Sequence, residues 1–226
     1  MRIITDHPVA YDSPDHTTPR GTINDNSFNR VFNDKLIASM GSGIRVLDLG
    51  CSGGGFVSSL VDAGIEAYGI EGSDISRRTK RAEWATIPDR LFTADVTRRF
   101  SLVEGDEPQQ FDVITAWEVL EHIRSDDLPG VFSNIERHLQ PEGRLIVSIS
   151  PNEDIFEGVN LHQTVRPFEW WVAKIHSFGW SHMPRMVQWF SPDWVRGRMG
   201  FRLQGSVALI DSDAWNSFHL VLERST

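Results

Sequence analysis

Residues 44–56 read IRVLDLGCSGGGF, a strand-length apolar run that closes on a glycine cluster. A segment of helical character, Phe56–Ala63, follows. Glycines at such a junction permit a tight turn and let a ligand approach the backbone closely. The same rhythm continues downstream. Ala67–Ile70 predicts a second strand, Ser76–Ala85 a helix, Arg90–Phe92 a short third strand and Phe111–Ala116 a fourth. The stretch Glu104–Gln110 before that fourth strand reads as turns, Ser125–Leu139 as a helix ended by Gln140-Pro-Glu-Gly143, and Arg144–Ile149 as a fifth strand. Alternation of this kind implies βαβ units with right-handed crossovers. The expected fold is α/β, a doubly wound Rossmann-like sheet with helices on both faces.

The flanks are less regular. Residues 1–25, rich in Asp, Pro, Thr and His, read as an extended or mobile arm, and Asn26–Met40 as a helix with Phe28, Val31, Phe32, Leu36 and Ile37 at helical spacing. Pro167–Phe178 predicts another helix, Gly179–Gly200 irregular chain, and 201–210 with 215–223 a terminal strand pair. No repeat or linker divides the chain, so one domain over 1–226 is expected: arm and helix to 40, a ligand-binding core over 41–150, a lid over 151–200, then the strand pair.

Three acidic residues follow three consecutive strands. Asp48 stands just before the glycine turn, Glu71 ends the second strand, and Asp95 follows the third. Ligands of open α/β sheets bind at such carboxyl ends, and a carboxylate at Glu71 is placed to grip both ribose hydroxyls of an adenosine-containing ligand. Asp95 could meet an adenine amino group, with Val96 flanking the ring. A nicotinamide dinucleotide is the natural rival, but its G-x-G-x-x-G pattern is not met here, and Asp48 would repel a pyrophosphate. A carboxylate at that point suits a cationic ligand carrying an amino group and a sulfonium.

The segments VLDLGCSGGGF, YGIEGSD, TADV, FDVITAWEVLEHI and LQPEGRLIVSIS, spanning about residues 40–155, resemble the class I S-adenosylmethionine-dependent methyltransferases. The resemblance implies a seven-stranded sheet of order 3-2-1-4-5-7-6. It also implies a methyltransferase that binds S-adenosylmethionine, with Asp48, Gly50 and Gly54 around the methionine moiety, Glu71 on ribose, Asp95 and Val96 on adenine, and Trp117 near the cofactor. The adjacent Cys51 and Gly72 are counted in the same site. Ser52 stands where the family pattern D-x-G-x-G-x-G usually has glycine, a small replacement expected to be tolerated.

The fourth strand runs into Trp117-Glu-Val-Leu-Glu-His-Ile123, beside the first strand at the switch point of the sheet. Glu118, Glu121 and His122, spaced i, i+3, i+4, would share one face of a helical turn. Two carboxylates and an imidazole suit either a divalent-cation site or a general base with orienting acids. The segment is similar to E-x-x-E-H in the ubiquinone-biosynthesis O-methyltransferases and in the small-RNA 3′-terminal 2′-O-methyltransferases. That likeness implies Glu118, Glu121 and His122 as ligands of Mg²⁺ or Mn²⁺, with His162 as a fourth.

Methyl transfer from a sulfonium is an in-line displacement, so the enzyme mainly aligns donor and acceptor, an effect worth up to roughly 7–11 kcal/mol. A hydroxyl acceptor must also lose its proton, and His122 is the expected base. The favoured reading is O-methylation of a small molecule such as a sugar, a quinone precursor or a secondary metabolite. Two others stay open: methylation of an RNA 3′ end, and a non-catalytic subunit that binds cofactor. The net charge of −9 disfavours nucleic acid as a partner. The basic cluster Arg77, Arg78, Lys80 and Arg81 reads as a solvated helix face. The C-terminal tryptophans 170, 171, 180, 189 and 194 read as packing residues, and Arg166, Arg185, Arg196 and Arg198 as possible grips for a substrate anion. No apolar run is long enough to span a membrane, and the first 20 residues lack the core of a secretory signal, so a cytoplasmic location is expected. Cys51, the single cysteine, has no partner for an internal disulfide.

Overall fold

A computed structural model describes residues 1–197 and 217–225. The chain begins with β1 (Arg2–Thr5), α1 (Pro14–Thr17), α2 (Arg20–Asn24) and α3 (Arg30–Met40). The expected rhythm then follows: β2 (Arg45–Leu49), α4 (Gly55–Asp62), β3 (Glu66–Glu71), α5 (Ile75–Thr79) and β4 (Leu91–Thr93). After β5 (Phe100–Glu104) and β6 (Glu107–Pro108) come β7 (Phe111–Trp117), α6 (Leu128–His138) and β8 (Leu139–Ile149). The last part holds β9 (Ile155–Phe156), β10 (Val159–Asn160), α7 (Phe168–His176), β11 (Trp180–His182), α8 (Pro184–Phe190) and β12 (Phe218–Arg224).

Among the described residues, seven strands form the main sheet in the order β4-β3-β2-β7-β8-β12-β11. Counted along the sheet's own strands this is 3-2-1-4-5-7-6. The strands from β4 to β8 run parallel, and β12 is antiparallel to both its neighbours. Both faces are covered, as the continuous apolar strands require. Leu47, Leu49, Ile114, Ala116, Leu145 and Val147 join one core cluster with α6 and α7. Their sequence neighbours Val46, Val113 and Ile146 join the other, with Phe32, Phe56, Leu60 and Phe190. That strict alternation places the two clusters on opposite sides of the pleat.

Several expectations need correction. Residues 1–25 are not an extended or mobile arm: β1 pairs antiparallel with β5 and two short helices follow. The stretch read as turns, Glu104–Gln110, carries the β5–β6 hairpin of that small sheet. The helix predicted over Ser76–Ala85 ends at Thr79, because Lys80 (φ 51°) and Ala82 (φ 45°) enter the left-handed region. This break turns Arg81 inward to donate to the carbonyls of Ile23 and Asp25, so the basic cluster is not wholly a solvated face. α6 does end just before Gln140-Pro-Glu-Gly143, at His138, but these four residues belong to β8, which starts earlier than expected and crosses a register shift against β7. Gly179–Gly200 is not irregular throughout, since it supplies β11 and α8. The strand beside β12 is therefore β11; residues 201–210, expected to form that pair, lie outside the described residues, as does Arg198. Trp171, Trp180 and Trp194 are buried in packing.

Candidate active site

β2 and β7 lie side by side, yet the chain leaves β2 toward β3 and β7 toward β8. A crevice opens between the two following loops, at the switch point of the sheet. It holds a cavity of about 1130 Å³. Typical single-ligand pockets occupy roughly 300–1,000 Å³, so this one has room for a nucleoside and a second small molecule.

Gly50 (φ 72°) lines the cavity, and a Cβ there would collide with Val119 of the opposite loop. Glu71 reaches the cavity from the end of β3. Its Oε2 accepts from Ser52 N at 2.7 Å and its Oε1 from Ser73 N at 3.1 Å, which fixes the carboxylate. Burial raises its pKa, against the pull of those amides. Gly72, Asp95, Val96 and Trp117 also line the cavity. Asp95 Oδ1 accepts from the amide and hydroxyl of Thr97.

Three predicted cofactor residues sit differently. Asp48 is buried beneath the turn, accepts from Thr115 Oγ1 at 2.6 Å, and is pushed by burial to a pKa of about 8. Cys51 packs against Gly69. A Cβ at Gly54 would face Leu91 rather than a ligand. None of the three is among the residues lining the cavity. Gly53 and Gly55 likewise make room for protein: side chains there would strike Asn26, whose Oδ1 accepts from Gly55 N at 2.8 Å.

The N-terminal residues cross the cavity as a strap. His7 O accepts from Asp95 N at 2.9 Å, and Ala10 N donates to Gly72 O at 2.8 Å. Ser52 Oγ lies 3.2 Å from Thr22 O and 3.0 Å from Asp25 O. The serine that replaces the usual glycine thus holds the strap, at a φ of 46° that glycine would adopt freely.

Of the four candidate metal ligands, the structure brings Glu121, His122 and His162 together, each offering one ligand atom within 4.8 Å of the others. Each is also held from behind. Glu121 Oε1 accepts from Ser150 N at 2.7 Å, while its buried Oε2 has no partner among the described residues. His162 Nδ1 contacts Asn152 O. His122 Nδ1 lies 2.9 Å from Asp15 Oδ2 as an ion pair, bent too far for a regular hydrogen bond. The two imidazoles meet edge to face at 4.5 Å. Burial lifts Glu121 to a pKa of about 7. Burial opposes a charge on His122, but Asp15 and Glu121 outweigh it and raise its pKa; burial and the nearby His122 lower that of His162.

Glu118 does not join them. The expected helical turn forms only as a 3₁₀ turn over Leu120–His122, and Glu118 sits before it at φ 54°. Its carboxylate turns to Arg196, 3.0 Å away, and to the hydroxyl of Ser217. Arg196 also pairs with Asp25 at 3.1 Å, so it grips the protein's own carboxylates rather than a substrate anion. Asp15 and Asp25 had no signal in the sequence beyond the Asp- and His-rich composition of the first 25 residues, Asn26 had none, and Ser73 lay unremarked within the YGIEGSD segment.

The donor set fits a cationic nucleoside. Among the described residues, nine carboxylates line the cavity against four guanidiniums, a balance that favours a sulfonium over a pyrophosphate. The cluster of Glu121, His122 and His162 fits a divalent ion, because it joins two imidazoles to a carboxylate whose buried Oε2 has no partner among the described residues.

The sequence profile of the methyltransferase domain family matches residues 26–198. The mitochondrial ubiquinone biosynthesis O-methyltransferase of Schizosaccharomyces pombe is 31% identical over 108 residues, covering 47% of this chain and 38% of that protein. The ubiquinone biosynthesis O-methyltransferase of Rhodopseudomonas palustris is 29% identical over 107 residues, covering 47% and 40%. The chain thus spans less than half the length of these relatives. Among solved structures, a TehB-like S-adenosylmethionine-dependent methyltransferase from Corynebacterium glutamicum superposes with a TM-score of 0.57 at 16% identity, covering 92% of this chain and 95% of its own. One from Clostridium acetobutylicum gives 0.59 at 13%, covering 96% of each. No helix among the described residues is long and apolar enough to cross a membrane. With its profile match over most of the chain and a doubly wound sheet that opens on an acid-lined cavity at its switch point, the chain belongs to the methyltransferase domain family.

Proposed function

We propose that this methyltransferase O-methylates a small-molecule hydroxyl, using Glu71, Gly72, Asp95, Val96 and Trp117 to hold S-adenosylmethionine and Glu121, His122 and His162 to hold a divalent ion. The observation that carries the reading is convergence: Glu71, His122 and His162 line one cavity, with Glu121 buried against the two histidines. The curated relatives named for O-methylation of ubiquinone precursors support a phenolic or similar small acceptor. The nine lining carboxylates argue against a polyanionic RNA end.

Bound in this cavity, S-adenosylmethionine supplies an electrophilic methyl carbon. Glu71 would fix the ribose, with its geometry already set by the amides of Ser52 and Ser73. Asp95 and Val96 would receive the adenine. An ion at Glu121, His122 and His162 would supply positive charge beside the acceptor hydroxyl and favour its ionised form. The Asp15–His122 contact supports a second role, in which His122 itself removes the proton and Asp15 orients it.

Transfer of labelled methyl to a panel of catechols, quinone precursors and sugars tests the reading. Turnover should disappear after exhaustive chelation and return with Mg²⁺, Mn²⁺ or Co²⁺. Full activity in chelator would remove the ion and leave His122 as base; no methylated hydroxyl on any acceptor would sink the O-transfer reading. Glu71→Gln should weaken S-adenosylmethionine binding about tenfold, as loss of one charged hydrogen-bonding group predicts, measured by isothermal titration calorimetry.

A further inference from the structure

The strap supplies something to the histidine cluster that no segment of the sheet provides. Asp15 lies on α1, a four-residue helix whose first turn is set by Ser13, the hydroxyl of which accepts from Asp15 N. From there its carboxylate reaches His122 at 2.9 Å, and neither side chain is more than a quarter exposed. The His122 ring also meets His162 edge to face at 4.5 Å. Between these two contacts the ring has little freedom, and Nδ1 is turned toward the strap. Nε2 is the nitrogen left for the cluster. Glu121 and His162 are backed by main-chain groups of the loop after β8, at Ser150 and Asn152. His122 is instead backed by a side chain of the N-terminal strap.

We propose that Asp15 is the positioning residue of the divalent-ion site, holding His122 with Nε2 free and making the folded strap part of the catalytic apparatus. This rests on the proposed ion at Glu121, His122 and His162. Carboxylates behind ligating imidazoles fix ring orientation and raise ligand basicity, and their removal typically costs about 10–100-fold in metal affinity. The bent N–H···O geometry is compatible with this role, because such contacts are often poorly aligned in empty sites and tighten on loading.

The test is a calorimetric titration of the full-length protein with Co²⁺, run on wild type, Asp15→Ala and Asp15→Asn. Near-ultraviolet circular dichroism confirms that each variant keeps its native packing. Asp15→Ala should bind Co²⁺ at least about tenfold more weakly. Asp15→Asn, which retains an acceptor but not the charge, should fall between the two. If wild type binds Co²⁺ and a folded Asp15→Ala binds it equally well, the positioning role is overturned while the ion site stands. If wild type takes up no Co²⁺, the ion site itself is wrong and this role falls with it.

Discussion

The charge state of one buried carboxyl decides how the pocket receives its donor. Asp48 was expected to meet the ligand directly, yet it lies under the glycine turn with Thr115 as its hydrogen-bond donor. With a pKa of about 8 imposed by burial, it is about nine-tenths protonated at pH 7. A cationic donor seated above it favours the ionised form, so binding should expel a proton and affinity should rise as the pH climbs toward 8. Calorimetry at pH 7 in phosphate and in Tris, which differ in ionisation enthalpy, reads this directly. The apparent enthalpies should differ in the sense of proton release, and Asp48→Asn should erase the difference. Equal enthalpies in wild type would show that Asp48 does not sense the donor. Ser52 carries a related lesson: a substitution that looks merely tolerable in sequence has a hydroxyl committed to strap carbonyls.

Within the elements, α6 carries a titratable group into the core. His138 accepts from Leu102 N of β5 through Nε2 at 3.2 Å, donates to Asn134 O through Nδ1 at 2.8 Å, and stacks on Phe100 at 4.6 Å. A second proton on Nε2 would point at the Leu102 amide. Burial pulls its pKa from 6.5 to about 4. The unfolded chain therefore binds the proton first: stability is full above about pH 6.5 and falls by about 3 kcal/mol as the pH drops to about 4. Urea unfolding of wild type and His138→Gln at pH 7.5 and 5 isolates this contribution: wild type should lose about 2 kcal/mol more than the variant across that interval, because the opposite contributions of Asp48 and Glu121 and the like one of His219 are common to both proteins. An equal loss in that variant would clear His138 of the effect. The parallel strands were legible because both their faces are buried and they read as unbroken apolar runs. Glu71 and Asp95 were legible because the ends of such strands are fixed by topology. The break of α5 was not, since neither Lys80 nor Ala82 announces a positive φ. Nor was the separation of Glu118 from Glu121 and His122, because i, i+3, i+4 spacing gathers side chains only where the backbone is helical throughout.

Across the whole molecule, the strap closes one wall of the pocket by contacts that link distant parts of the chain. Asp15 meets the loop after β7, Asp25 meets Arg196, and Arg20 pairs with Asp154 while its guanidinium lies 5.2 Å over the ring of Phe156 on β9. Local periodicity cannot report such pairings, which explains why the first 25 residues read as a loose arm. The Arg20 contact joins the strap to the β9–β10 hairpin, two elements on the rim of the cavity rather than in the core. A partly exposed ion pair contributes at most about 1 kcal/mol and a cation–π contact roughly 0.5–1 kcal/mol, so losing both should cost the closed state about 1 kcal/mol. That corresponds to roughly a fivefold change in an equilibrium or rate constant. Because Arg20 and Asp154 stand in the cavity wall while the Glu71 carboxylate is held separately by Ser52 and Ser73, the effect should fall on escape. Arg20→Ala should speed dissociation of the demethylated product about fivefold, with the fluorescence of Trp117 in the cavity wall as the stopped-flow signal. High salt should move wild type toward the variant by screening the ion pair but not the stacking. A dissociation rate unchanged by both would mean that the ligand leaves without parting the strap from the hairpin.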